Sequence, residues 1–191
     1  MIKDDIIKNV LFNKVGNNPT MWKYYSENLS NASKHLNKQY SDIDFKNPVD
    51  NDSLSSIGEL TSLSKIVNML RAMAIECLFK ALWLKCGEKL AINGEFKKIP
   101  DTRNHNLVSI EKEISKKIDL NISENENDLL KELSYYNSHG RYPIPTKWSF
   151  LKKHINNGLE NKSSRSHGVS ADKELFDDLE KRLTDIFNEI K

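Results

Sequence analysis

The chain has 191 residues, 29 of them Lys or Arg and 27 Asp or Glu, for a net charge of +2. That length suits one domain with a proper core and is short for two. So even a charge balance excludes a polybasic nucleic-acid binder, and any contact with nucleic acid must be local.

The opening Met1–Asp5 carries two acids and no apolar run leading to a small-residue cleavage site, so neither a secretory signal nor a transit peptide is expected. Ile2, Ile6, Ile7, Val10 and Leu11 then recur at helical spacing before Gly16, Asn17, Asn18 and Pro19 break it. We read residues 1–19 as a short docking arm and residues 20–191 as the domain proper. Thr20 is placed to cap the next helix, in which Trp22, Tyr25, Leu29, Ala32, Leu36 and Tyr40 form one stripe. Residues 41–53 are polar and without period, a connection.

From about Leu54 to Cys86 runs a long amphipathic helix. Leu60, Leu63, Ile66, Val67, Leu70, Met73, Ala74, Cys77, Leu78, Ala81 and Leu82 recur every three or four residues. Lys65, Glu76 and Lys80 fall outside that arc. The arc is too wide for a two-stranded coiled coil, so several helices must cover it. The run is interrupted by Arg71, Glu76 and Lys80, which argues against a membrane span and for a cytoplasmic protein. Cys77 and Cys86 lie roughly 13 Å apart on this helix and on opposite faces, so they cannot pair with each other.

Gly87 is placed to terminate the helix in the left-handed region, and Glu88 to Asn104, broken by Gly94 and Pro100, reads as a loop. A helix over about His105–Ile118 turns Leu107, Ile110, Ile114 and Ile118 to one side. Ser123 and Glu126 offer a capping box for the next helix, which buries Leu129, Leu130, Leu133 and Tyr136 and stops near Pro143 and Pro145. Trp148, Leu151 and Ile155 allow a turn or two, and residues 156–170, rich in Asn, Ser and Gly, read as a loop. Ser170 then caps a final helix with Leu175, Leu179, Leu183, Ile186 and Ile190 inward. No strand pattern competes. The fold class is all-α: an antiparallel bundle of four or five helices, with a core that includes Trp22, Leu29, Leu70, Leu78, Leu133 and Leu183.

Generic catalytic signatures are absent. There is no phosphate loop and no Gly-x-Ser-x-Gly elbow. The five histidines include no pair at metal-ligand helical spacing, so no metal, no cofactor and no catalytic residue is assigned. Glu76 and Lys80, four apart with the acid first, make a surface ion pair of about 0.2 to 0.5 kcal/mol, or else Lys80 faces a groove and meets phosphate. His105, at a helix start, either caps free amides or binds ligand. The densest group is Tyr135, Tyr136, His139, Arg141 and Tyr142, able to stack a base and hold a phosphate, or equally to pack into the core and clamp a loop.

The order of features resembles the HEPN family of small helical bundles. Residues 74–85, AIECLFKALWLK, look like the family's Ala-x-Glu-x-x-x-Lys-Ala stretch. His105 to Leu107 is similar to the His-Asp-Leu opening its third helix, and Arg141 to Pro143 to the Arg-Tyr-Pro after its fourth. Ribonucleases of the family carry an Arg, four to six residues, then a His. No arginine here has a histidine at that distance, and after Arg141 no residue from Pro145 to Phe150, a stretch that includes those positions, is one. The resemblance therefore implies a non-cleaving, dimeric module that binds nucleotide or RNA through Lys80, His105, His139, Arg141 and Tyr142. It further implies part of a toxin–antitoxin or phage-defence pair, with a nucleotidyltransferase-like partner. The alternatives are metal-independent RNA cleavage by His139 and Arg141, and a protein-binding immunity or antitoxin bundle.

Overall fold

The computed structural model describes residues 7–41, 53–103, 105–139 and 169–190. Most of them are helical. A π-wound stretch, Ile7–Asn13, continues into a short helical turn, Lys14–Gly16. The longer helices are α1 (Pro19–Ser41), α2 (Ser53–Lys85), α3 (Leu107–Ser115), α4 (Glu124–His139) and α5 (Val169–Glu189).

α2 is the axis. From Ala72 to Leu84 it is buried on nearly every side, including Phe79 and Trp83, which lie outside the stripe read from the sequence. A helix apolar all round is one wrapped by others, and here the covering helices are α1, α3, α4 and α5. α1 runs against α2: the Ser26 hydroxyl donates to the Ala74 carbonyl at 2.8 Å, and Trp22 lies under Lys80 further up. α5 runs with α2, since Arg71 covers the Phe176 ring and Lys85 the Phe187 ring. Lys85 also donates to the Ile190 carbonyl at the α5 C-terminus, where a cation is favoured. Lys34 of α1 bridges to Asp177 and Glu180 of α5, closing the other side.

Several expectations hold at the level of single residues. Gly87 takes φ +85 after α2. The capping box forms: the Ser123 amide donates to Glu126 at 2.8 Å, and the Glu126 amide to Ser123 Oγ at 3.3 Å. Leu78, Leu133 and Leu183 are buried, with Trp22 and Leu29 packed against them. Both cysteines are free.

Others are corrected. Thr20 is not the cap of α1; Asn18 is, its side chain accepting from the Thr20 and Met21 amides with Pro19 at the first helical position. α5 begins at Val169, so Ser170 lies inside it. Its fully buried stripe is Phe176, Leu179, Leu183 and Phe187, with Leu175, Ile186 and Ile190 only partly covered. Leu70 is half-buried and Ile66 exposed, while the continuous core cluster on α2 begins at Ala72. Residues 42–52 of the expected connection, Pro143 and Pro145, the turn or two expected at Trp148, Leu151 and Ile155, and residues 156–168 of the expected loop lie outside the described residues.

The segment read as a loop contains a β-hairpin, β1 (Ala91–Ile92) against β2 (Glu95–Phe96), antiparallel with Ala91 opposite Phe96. Asn93 and Gly94 form its turn, both with positive φ, +54 and +78. That is the conformation an Asn-Gly pair adopts most readily, and it matches the twist of the strands. The arm fastens onto this hairpin. Asn17 accepts from the Leu90 and Ala91 amides at 2.8 and 2.9 Å and donates to the Ala91 carbonyl at 2.6 Å. Asn13 accepts from the Gly94 amide at 3.0 Å. Gly16 lies so close to Ala91 that a Cβ there would meet the Ala91 Cβ at 2.7 Å.

Candidate functional site

The helical wrapping of α2 brings Glu76 inside. It is 7% exposed, not on the water face that its sequence position implied. A buried carboxylate needs donors on both oxygens, and three elements supply them. Lys80 Nζ reaches Oε1 at 2.6 Å from one turn along α2. Asn137 Nδ2 of α4 and His105 Nδ1 reach Oε2 at 2.6 and 3.0 Å. Burial pushes the Glu76 pKa up, but Lys80, His105 and Asn137 outweigh it, and the net value lies below the ordinary carboxylate range.

His105 does not cap α3. Asn106 does, accepting from the Ser109 amide at 2.8 Å, and Leu107 then plugs into the core with its amide on Ser134 Oγ. His105, one residue before the cap, takes φ +59. That left-handed bend costs a non-glycine residue roughly 1 to 2 kcal/mol, and the bond to Glu76 offsets it. An ionised carboxylate can only accept, so Nδ1 carries the proton of this bond and Nε2 stands on the opposite edge of the ring. The His105 side chain is 45% exposed, so the ring is oriented on its inner edge and open to ligand on its outer one.

Lys80 is not a surface lysine. Its ammonium lies 4.9 Å from the Trp22 ring centroid and 5.3 Å from that of Phe96, which are 5.9 Å from each other. Trp22 is fixed by its Nε1 bond to the Gly16 carbonyl at 2.9 Å. Two rings and a carboxylate therefore hold the charge in one place. Cys77 lies on the same stretch of α2. Burial pushes its thiol up to about 11, against the pull of Lys80, so it is protonated at neutral pH and not a nucleophile.

Of the residues singled out in the sequence, Lys80 and His105 converge, joined by Glu76. His139 ends α4, two residues beyond Asn137; its side chain, and the whole of Arg141 and Tyr142, lie outside the described residues. Tyr135 and Tyr136 stack edge to face at 5.5 Å, half-buried. Asn137 and Phe96 were missed. Nothing local in the sequence marks Asn137, whereas the Asn-Gly turn could have marked the hairpin that presents Phe96. Among the described residues no group of three His, Cys, Asp or Glu side chains converges as a metal site, and no helix is long and apolar enough to cross a membrane. Comparison with protein-family models, curated proteins and solved structures finds no match to this chain.

Proposed function

We propose that this chain is a HEPN-like helical module that binds nucleotide or single-stranded RNA at the junction of α2, α4 and the residues before α3. The observation that carries this reading is the Glu76 hub. One buried carboxylate fixes a lysine, an imidazole and an amide from three elements, and leaves the imidazole half open to solvent. Fixed donors beside an open edge suit a phosphate oxygen. In sequence, His139, Arg141 and Tyr142 follow Asn137 closely, adding a guanidinium that can take phosphate in two parallel bonds. A homodimer and a nucleotidyltransferase-like partner belong to the same proposal, which makes the chain one half of a toxin–antitoxin or phage-defence pair.

The test is calorimetric titration with nucleoside monophosphates and a short RNA. His105→Ala and Arg141→Ala each weaken binding by about 1.5 to 3 kcal/mol, the range for a charge-assisted hydrogen bond, with helix content unchanged. Arg141→Lys restores part of the loss. Absence of saturable binding by the parent protein ends this reading. One observation favours a second, cleaving reading: a carboxylate orienting an exposed imidazole is the arrangement of an acid–base catalyst. RNA breakdown in chelator, lost in His105→Ala, would decide for it.

A further inference from the structure

We infer that Phe96 is the stacking platform for a nucleobase whose 5′-phosphate lies against Lys80 and His105, an inference that rests on the nucleotide-binding reading and specifies its site. Phe96 is 47% exposed, yet the structure fixes it from several directions. The Asn93–Gly94 turn sets the strand, Asn13 and Asn17 strap the hairpin to the arm, and the Trp22 ring backs the phenyl at 5.9 Å. An aromatic ring that is both held and open is a surface on which any base can stack, since every base has a π-face.

What lies beside the ring points to an anion attached to that base. Phe96, Lys80, Glu76 and His105 follow one another in direct contact, at 5.3, 2.6 and 3.0 Å. Among the described residues Glu76 accepts one of the three ammonium donors of Lys80, so the ammonium keeps capacity for a phosphate oxygen. The chain from Phe96 to His105 carries Lys97, Lys98 and Arg103 against Asp101, and although Lys97 pairs with Glu95, the balance is cationic. An apolar peptide would gain nothing from these charges, and a free phosphate nothing from the ring. The shared chemistry is a base with its 5′-phosphate, free or within single-stranded RNA.

Calorimetry with adenosine 5′-monophosphate and with ribose 5-phosphate separates the two halves of the site. The nucleotide binds about tenfold tighter, and Phe96→Leu, which keeps apolar bulk but removes the π-face, brings the two ligands together. Phe96→Trp keeps the preference and adds an emission that the nucleotide quenches and ribose 5-phosphate does not. A short oligoadenylate that binds tighter than the mononucleotide identifies RNA as the source; equal affinity identifies the free nucleotide. If the parent binds both small ligands equally, or Phe96→Leu keeps the preference, the platform is overturned while the phosphate site stands. If neither ligand nor the oligoadenylate binds, the nucleotide reading falls with it.

Discussion

Removing the Glu76 carboxylate strands three donors at once. Lys80 is then left as a largely covered charge between two rings, the situation in which losing one partner of a buried pair is most costly. Glu76→Ala is expected to destabilise by about 3 kcal/mol, read from urea unfolding, with Glu76→Gln less damaging because its amide oxygen still accepts. The pH dependence follows from the direction of the shift. Glu76 and Glu126 both titrate below the ordinary carboxylate value of 4.5 in the folded chain. For Glu126 the opposing effect is burial, outweighed by Arg182 and the bonds from Ser123. Groups depressed on folding contribute stability that is fully present above 4.5 and is lost as pH falls through their folded values. The unfolding midpoint should therefore fall in acid below that point, and Glu76→Gln should flatten the fall. A slope unchanged by that substitution would place the acid sensitivity elsewhere.

At the scale of elements, the arm and the hairpin hold each other. Asn17 spends both ends of its amide on β1, and Gly16 permits the approach. Asn17→Ala leaves the Leu90 and Ala91 amides short of a partner, at a cost of about 1 to 3 kcal/mol. Hydrogen exchange should then speed up in the arm and hairpin together while α2 stays protected; exchange confined to the arm would show that the hairpin stands alone. This pairing also marks where sequence reading stopped. The helices were legible because their apolar residues repeat within one element, and the capping box at Ser123 is a local pattern. Glu76 was misplaced because a helix wrapped on all sides has no water face, and that wrapping depends on partners elsewhere in the chain. The hairpin was missed although Asn93–Gly94 announced it, since two-residue strands show no alternation to count. Asn137 joins Glu76 across 61 positions, a distance no local pattern encodes.

At the scale of the whole molecule, the described core gathers around the C-terminal half of α2, from Ala72 to Leu84. Leu183→Ala, at a fully buried position facing that half, is expected to cost about 2 to 5 kcal/mol. Leu70→Ala, half-buried just before it, should cost less, by about half. Equal losses in chemical denaturation would extend the packed core back to Leu70. The ends of α2 and α5 meet through Lys85 and the Ile190 carbonyl, so the chain's last described turn is tied to its central helix.

The Asn93–Gly94 turn has a chemical consequence as well as a conformational one. An asparagine followed by glycine is prone to lose ammonia when the glycine amide nitrogen attacks the side-chain carbonyl, closing a succinimide that opens to isoaspartate. Here that nitrogen donates to Asn13, which holds it away from such an attack, so the arm slows the ageing of the hairpin tip. Asn13→Ala should accumulate isoaspartate faster than the parent during storage at mildly alkaline pH, as read by an enzymatic isoaspartate assay. Because the rearranged backbone no longer fits the left-handed turn that presents Phe96, samples of this protein would lose their hairpin with time in proportion to how often the arm lets go.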